Sequence, residues 1–453
     1  MKSFLSFARV IGTASTLCSL IAFVGLVVGL ERTRAQDVPN FRGNPQHTGK
    51  YDAVGVPQFH AVQWATHLGS PNGQIISSPA VVGDTVYVGA SDGFYALRRD
   101  TGQQKWRYET KSRVTSSPAV SGGKVYFGAW NGVYYALDAE TGKPVWQFQT
   151  AGERRFSAKP LFRSQPYNEL QPDPWDCFLS SPVVWNGMVY FGSGDGNIYA
   201  LDAATGAQRW KFTTGGVVHA SPAIADGMLF IGSWDEYFYA LDAASGIEKW
   251  RFKTGDDPVY FNQMGIQSSA AIADGTVYFG CRDAHLYALD ERTGAKKWAF
   301  STRGSWVLNS PAVSGGRVFF ETSDTALLYA LNANDGSVSF EIGLNGWPAF
   351  SSPAIAGNML YVGTTAGKLI GVDIAAGKIL WTFTTEAAKR NGPAFTKPGG
   401  AGNYFSAFQS DFYDDLVAGY NSLLAVGPIL SSPVVVGKNI YVGGVDGNLY
   451  SLR

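Results

Sequence analysis

The 453-residue chain is predicted to be all-β, an eight-bladed β-propeller built from four-stranded antiparallel blades. Two observations predict this fold. A unit first seen at residues 77–106 recurs to the C-terminus, and internal repetition of this length is typical of propellers and solenoids. The chain also stops one strand short of a complete last unit, whereas a spare strand at 62–66 precedes the first unit. The two ends are therefore expected to complete one blade together, which closes the ring and covers its open edges.

Each unit contains four short runs of β-branched and aromatic residues. In the first unit these runs are 78–82, 85–89, 94–97 and a run centred on Trp106. Turns that contain Gly and Asp separate them, and apolar residues show no helical spacing. Such runs indicate β-strands, so each unit is predicted to be a four-stranded meander.

Two markers recur eight times each along the chain. The first strand opens on Ser-Pro (Ser-Ala once), at Ser78, Ser117, Ser181, Ser221, Ser269, Ser310, Ser352 and Ser432. The fourth strand carries an aromatic residue, at Trp64, Trp106, Trp146, Trp210, Trp250, Trp298, Phe340 and Trp381. Because Trp64 precedes the first Ser-Pro, the two series are offset by one strand, as ring closure requires.

The segment 136–146, ALDAETGKPVW, resembles the tryptophan-docking motif of the pyrroloquinoline quinone (PQQ)-like propeller repeats. Further copies lie at 200–210, 240–250 and 288–298, and weaker ones at 330–340 and 371–381. The resemblance covers roughly residues 41 to 453. It implies that the eight fourth-strand aromatics pack between neighbouring blades. The family includes quinoprotein dehydrogenases and the non-catalytic BamB group of outer-membrane assembly lipoproteins, so the resemblance implies the fold and leaves the function open.

The N-terminal region is interpreted apart from the ring. Lys2 and Arg9 precede an apolar stretch from 10 to 30, and Ala35 ends a segment typical of an export signal or an uncleaved anchor. Residues 1–35 are therefore assigned to signal or anchor, 36–61 to a lead-in strap crossing the ring, and 62–453 to the propeller. His47 in the strap is expected at the surface. An exported protein can form disulfides, but Cys177 and Cys281 fall in different blades and are expected to be unpaired.

The balanced charge of the chain argues against nucleic acid and anionic membranes as partners. The chain has 36 basic and 36 acidic residues and no long basic run, so nothing favours nucleic acid, and membrane contact is expected only through an N-terminal anchor.

Three insertions interrupt the repeat, at 151–179, 255–267 and 385–430. All three fall in links from the fourth strand of one blade to the first strand of the next, so strand alternation places them on one face of the ring. Their composition and that of the shorter links, rich in aromatics, Arg and carboxylates, is typical of binding surfaces. The candidate binding residues are Arg154, Arg155, Trp175, Asp176, Asp256, Asp257, Tyr260, Asn262, Arg303, Trp306, Asn309, Trp347, Tyr404 and Asp411. The alternative is that these loops fold on one another and plug the ring.

Three functions follow from these features. The favoured hypothesis is an exported, non-catalytic scaffold that binds a protein or peptide, broadly BamB-like, with no assigned cofactor. The second is a PQQ- and Ca²⁺-dependent alcohol or aldehyde dehydrogenase without a haem domain. In that case Asp256, Asp257, Asn262 and Asn309 offer oxygen ligands, Trp306 or Trp347 stacking, and Arg303 a partner for the cofactor's carboxylates. No catalytic residue is assigned, and no His or Cys cluster has metal-ligand spacing. The third is a propeller that binds a small ligand or saccharide.

Overall fold

Eight four-stranded antiparallel sheets form the ring in the computed structural model, which describes residues 37–256 and 264–453. The predicted eight-bladed propeller is confirmed. The first strands, which line the axis, are Ala80–Val82, Ala119–Ser121, Val183–Trp185, Ala223–Ala225, Ala271–Ala273, Ala312–Ser314, Ala354–Ala356 and Val434–Val436. The second strands are Thr85–Ala90, Lys124–Gly128, Met188–Gly192, Met228–Gly232, Thr276–Gly280, Arg317–Glu321, Met359–Gly363 and Asn439–Gly443.

The outer half of each blade carries the repeated aromatic. The third strands are Gly93–Arg98, Val133–Asp138, Asn197–Asp202, Tyr237–Asp242, His285–Asp290, Leu327–Asn332, Lys368–Asp373 and Asn448–Leu452. The fourth strands of blades 1 to 7 are Gln104–Tyr108, Pro144–Gln149, Gln208–Thr213, Glu248–Lys253, Lys296–Ser301, Val338–Gly343 and Lys378–Thr384. The second and third strands are almost entirely buried, because they pack against the neighbouring blades on both faces.

The two chain ends close the ring. The strand Val62–His67 pairs antiparallel with Asn448–Leu452, with Val62 opposite Leu452 and Thr66 opposite Leu449. It thereby supplies the fourth strand of blade 8, as the offset between the two markers predicts.

The seven fourth-strand tryptophans contact the next blade. Each indole N–H donates to a backbone carbonyl at 2.9–3.1 Å, and for six of the seven that carbonyl belongs to the next blade. Trp146, for example, bonds Ala203 O and lies against Gly206, where an added Cβ would come within 2.7 Å of the indole. Trp381 faces the blade that is split between the chain ends, and its acceptor is Val56 O of the strap. Phe340 has no N–H and makes only the ring contact, with Gly377.

A closed belt of serines surrounds the axis. In each blade the backbone N–H of the Ser-Pro serine donates to the hydroxyl of its counterpart in the next blade, at 2.8–3.2 Å, and Ser432 donates to Ser78 to complete the circle. The repeated Ser thus has a structural cause, because it satisfies a buried N–H that no strand pairing reaches.

The strap runs across the opposite end of the axis from the insertions. Strap carbonyls accept hydrogen bonds from the first strands of six blades, between Val81 and Ile355, and Lys50–Tyr51 adds a parallel strand to blade 7. The expectation that His47 lies at the surface is wrong. Its side chain is fully buried, and burial, together with the nearby Arg42, lowers its pKa to about 3.

The insertions contain the only helical turns of the described residues. The third insertion forms α1 (Glu386–Asn391), α2 (Tyr413–Leu424) and short 3₁₀ turns at Gly392–Phe395 and Tyr404–Ala407, none of which the sequence analysis predicted. The first contains a 3₁₀ turn, Leu161–Arg163, and a two-stranded ribbon of Ser157–Ala158 and Gln171–Pro172. Within the described ranges, no helix is long and apolar enough to cross a membrane.

Candidate functional site

Insertions one and three meet over the axis on the insertion-bearing face, the face from which the links between blades emerge. Gln165 forms a parallel bridge with Phe412: its N–H donates to Asp411 O at 2.7 Å, and its carbonyl accepts from Tyr413 N at 2.9 Å. The Gln165 side-chain amide also donates to the Asp411 carboxylate at 2.9 Å. We call the assembly of these two insertions the cap.

Buried ion pairs hold insertion one to the ring. Asp176 and Glu153 contact the two ring nitrogens of His219 at 2.7 and 3.3 Å, and all three side chains are inaccessible to solvent. Burial alone would lower the pKa of His219, but the two carboxylates outweigh it and raise this pKa to about 10. His219 is therefore an imidazolium at neutral pH, and the three groups act as a charged clamp.

A second buried pair lies beside the first. Arg282 Nη2 is 2.7 Å from Asp173 Oδ2, and neither side chain is exposed. The guanidinium lies between two indoles, with its carbon 4.4 Å from the Trp234 ring centre and 4.5 Å from that of Trp306. Phe156 stacks on the far side of Trp234 at 4.2 Å. This arrangement satisfies a buried charge by ion pairing and cation–π contact together.

Trp175 forms the apolar centre of the cap. Its ring lies 5.1 Å from Phe350, in the link between blades 6 and 7, and 4.6 and 5.8 Å from Tyr420 and Tyr404 of insertion three. These rings belong to one cluster of buried side chains. Insertions one and three therefore fold on one another at this end of the axis.

Beside this cluster lies a cleft of about 360 Å³, which we call the aromatic cleft. Half of its lining residues are aromatic, and the rings of Trp306 and Phe162 have their centres 5.8 Å apart. The charged residues among its described lining are Asp324 and Asp411. The size suits a small ligand or one or two side chains of a partner.

The cap also exposes large apolar side chains to solvent. Tyr167, Leu170, Phe405 and Phe412 are between 53% and 65% exposed. Within the described part of the chain, every aromatic side chain that is more than half exposed belongs to this group. Their concentration on one face is unusual, since scattered single residues are the norm on a soluble surface.

The structure separates the candidate residues into two groups. Those buried in the cap or the ring are Trp175, Asp176, Trp306, Asn309, Trp347 and Tyr404. Those exposed are Arg154, Asp256, Arg303 and Asp411, with Arg155 half-buried; Asp257, Tyr260 and Asn262 lie outside the described residues. Asn309 bonds the backbone N–H and C=O of Glu321, and Arg303 pairs with Glu341 at 3.1 Å.

Sequence reasoning missed Glu153, Asp173 and Arg282. Arg282 lies two residues after the second strand of its blade, where the other blades carry an uncharged residue (Ser, Thr, Trp, Gly or Val), and a charge there was the available signal. Cys177 and Cys281 are both buried and not joined.

The described residues do not fit PQQ and Ca²⁺. The cavity on the axis, between the serine belt and the cap, has a volume of about 40 Å³, room for roughly one water molecule rather than a tricyclic quinone. The aromatic cleft is large enough, but its charged groups are carboxylates, which repel the cofactor's own carboxylates. No group of three or more His, Cys, Asp or Glu side chains in 37–256 and 264–453 is placed to hold a metal ion.

Comparison with protein families identifies the family to which the chain belongs. A family model described as outer membrane protein assembly factor BamB matches residues 60–171, 168–305 and 262–401, which confirms the resemblance to the PQQ-like repeats. BamB of Burkholderia pseudomallei (strain K96243) is 27% identical over 150 residues, which are 33% of this chain and 32% of that protein. The match thus spans about a third of the relative's length.

Two solved structures show the same architecture. BamB from Moraxella catarrhalis is similar with a TM-score of 0.64 and 16% identity, over 87% of this chain and 99% of that one. A europium-containing methanol dehydrogenase is similar with a TM-score of 0.67 and 15% identity, over 92% and 98%. At these identities the likeness shows the fold alone.

Proposed function

Because the chain belongs to the family described as outer membrane protein assembly factor BamB, we propose that it is an exported, non-catalytic scaffold that binds a protein or peptide segment. The binding surface is the cap. The proposal extends to this chain the role in outer-membrane protein assembly that the family's description states.

One observation carries the proposal. Tyr167 and Leu170 of insertion one and Phe405 and Phe412 of insertion three are exposed on the cap. Burial of such side chains against a partner removes apolar surface from water, and large aromatic residues contribute most of the energy at protein interfaces.

The support beneath this surface is rigid. The Gln165–Phe412 bridge fixes the two insertions to each other, and the His219 and Arg282 ion pairs fix insertion one to blades 3 to 5. A partner therefore meets a preorganised surface, and little conformational entropy is lost on binding.

Site-specific photo-cross-linking tests the proposal. A photoreactive phenylalanine analogue at position 412 or 167 is expected to capture the same partner in cells, and Phe405→Ser is expected to weaken that capture. Position 247 is the matched control, because Ile247 is 64% exposed but lies in a turn on the strap side. Capture at 247 as strong as at 412, or none at 412, contradicts the proposal.

Deletion of residues 403–420 separates binding from folding. The ring is expected to fold without this segment, because the eight blades and the serine belt are complete outside it, and partner capture at position 167 is expected to disappear. The deletion also removes Tyr404 and Tyr420 from the Trp175 cluster. Loss of ring folding would instead mean that the cap is a structural plug.

The second candidate, a PQQ-dependent dehydrogenase, shares only its fold with the methanol dehydrogenase, and the described residues do not fit its cofactor. Addition of PQQ and Ca²⁺ to the purified protein tests it. A quinone absorbance, dye-linked oxidation of short alcohols and a raised Tm support the enzyme, since a ligand that binds the folded state must stabilise it.

A further inference from the structure

The aromatic cleft combines two properties that differ from those of the exposed cap surface. Its walls present indole and phenyl rings, among them Trp306, Phe162 and Phe408, and its charged lining groups are both acidic. Aromatic faces attract cations through their quadrupole, and carboxylates attract them through charge. The cleft is therefore expected to prefer a positively charged ligand over a neutral or negatively charged one of the same size.

We propose that the aromatic cleft receives the side chain of a Lys or Arg from the bound partner, with the aliphatic stem against the rings and the cation toward Asp411. This inference rests on the proposed scaffold function and specifies the chemistry of the segment that the cap recognises. Long basic side chains have this divided character, an apolar stem with a charged end.

The volume of the cleft agrees with such an occupant. At about 360 Å³ it stands near the lower limit of ligand pockets, enough for one long side chain and its neighbouring atoms. The cleft opens beside Phe405, which is 61% exposed and also lines it, so a segment lying on the exposed surface can place one side chain inside.

The positive charge of Arg282, which lies against the Trp306 ring, does not repel a cation in the cleft. Arg282 lies 4.5 Å from the Trp306 ring centre, but Asp173 neutralises it at 2.7 Å. Asp411 keeps its position through the Gln165 side chain, which donates to its Oδ2 at 2.9 Å. A substitution to Asn retains an acceptor for Gln165 and removes only the negative charge.

Three six-carbon probes of different charge test the proposal by isothermal titration calorimetry on the full chain: hexylammonium, 1-hexanol and hexanoate. We expect the cation to bind about tenfold tighter than the alcohol, and the anion more weakly than either. Asp411→Asn is expected to weaken cation binding about threefold to tenfold and leave the alcohol unchanged, because only the charged ligand loses an attraction. Asp414→Asn, an exposed carboxylate of α2 that does not line the cleft, is the matched control and should change neither.

The outcomes test the charge selectivity of the cleft separately from the scaffold function. Equal binding of cation and alcohol, tighter binding of hexanoate, or an equal effect of Asp411→Asn and Asp414→Asn overturns the proposed selectivity. If these occur while position 412 still captures a partner, the scaffold function stands and only the inference fails. Cation binding with no partner captured at 412 would overturn the scaffold function and leave the charge preference of the cleft standing.

Discussion

The two ends of the axial channel are closed in different ways. At the strap end, Arg42 is fully buried and donates to the backbone carbonyls of Pro311 and Pro353, in two neighbouring blades. At the cap end, Arg282 is equally buried but contacts side chains, the Asp173 carboxylate and two indoles. Burial lowers the pKa of Arg42 to about 10, against the attraction of Tyr51 and Glu321.

The difference shows which end is part of the ring and which is an elaboration of it. Every blade offers backbone carbonyls and amides whatever its sequence, so a strap that uses them belongs to the architecture. The cap depends on particular side chains, and its surface is free to carry a specific function.

The largest expected effect is at the strap. Arg42→Met leaves two buried carbonyls without their charged donor, and we expect a loss of about 4 kcal/mol in the free energy of unfolding. Urea denaturation measures it. Arg209→Met, which removes an exposed pair with Asp202, is the control and should cost less than about 1 kcal/mol. Equal losses for the two variants would remove the distinction between the strap and an ordinary surface contact.

A smaller effect is expected at the cap. Arg282→Met leaves the Asp173 carboxylate buried without its cation, at a cost of about 3 kcal/mol. Hydrogen exchange should rise in residues 153–176 and remain unchanged in blades 1 and 8, because the loss is local. The double variant Arg282→Met/Asp173→Leu should recover part of the stability. Uniformly faster exchange around the ring would show that the cap is as integral as the strap.

The clamp at His219 predicts a pH dependence confined to the cap. Its folded-state pKa is raised from 6.5 to about 10, so the imidazolium stabilises the fold fully below pH 6.5. That contribution declines between pH 6.5 and 10 and is absent above about pH 10. The difference in unfolding free energy between the wild type and His219→Gln should shrink over this window, by up to about 1.4 kcal/mol for each unit of pH. A difference that is constant with pH would mean that His219 is neutral in the folded protein.

The smallest expected effect belongs to the serine belt, which lies between the two ends. Ser221→Ala leaves the buried N–H of Ser181 without an acceptor, at a cost of about 1 kcal/mol. Thermal denaturation compares it with Ser406→Ala, at an exposed serine of the cap. If the belt serves both ends, exchange should rise equally at strap and cap; a change at one end alone would assign the belt to that end.

Blade 6 shows how far sequence reasoning reaches. In most blades a Gly ends the second strand and faces a Val or Ile of the next blade; a Cβ on Gly280 would lie 2.3 Å from Val307. In blade 6 the equivalent residues are Glu321 and Ala349, and Asn309 replaces the usual Ser. The sequence shows three departures from the repeat, but only the structure shows that they are connected. The small Ala349 leaves room for the larger side chain, and Asn309 forms hydrogen bonds to both blades.

The sequence by itself determined the eight blades, the strand that closes them and the face that carries the insertions. These features depend on short-range signals that are repeated eight times, so one irregular copy does not hide them. The tertiary structure alone decided that His47 is buried, that Trp175 and Trp306 pack inside the cap, and that Asp173 meets Arg282. Such contacts join segments that are distant in the chain and occur only once, so no repeated pattern in the sequence predicts them. They form because a charged or aromatic group removed from water requires a partner, wherever in the chain that partner lies.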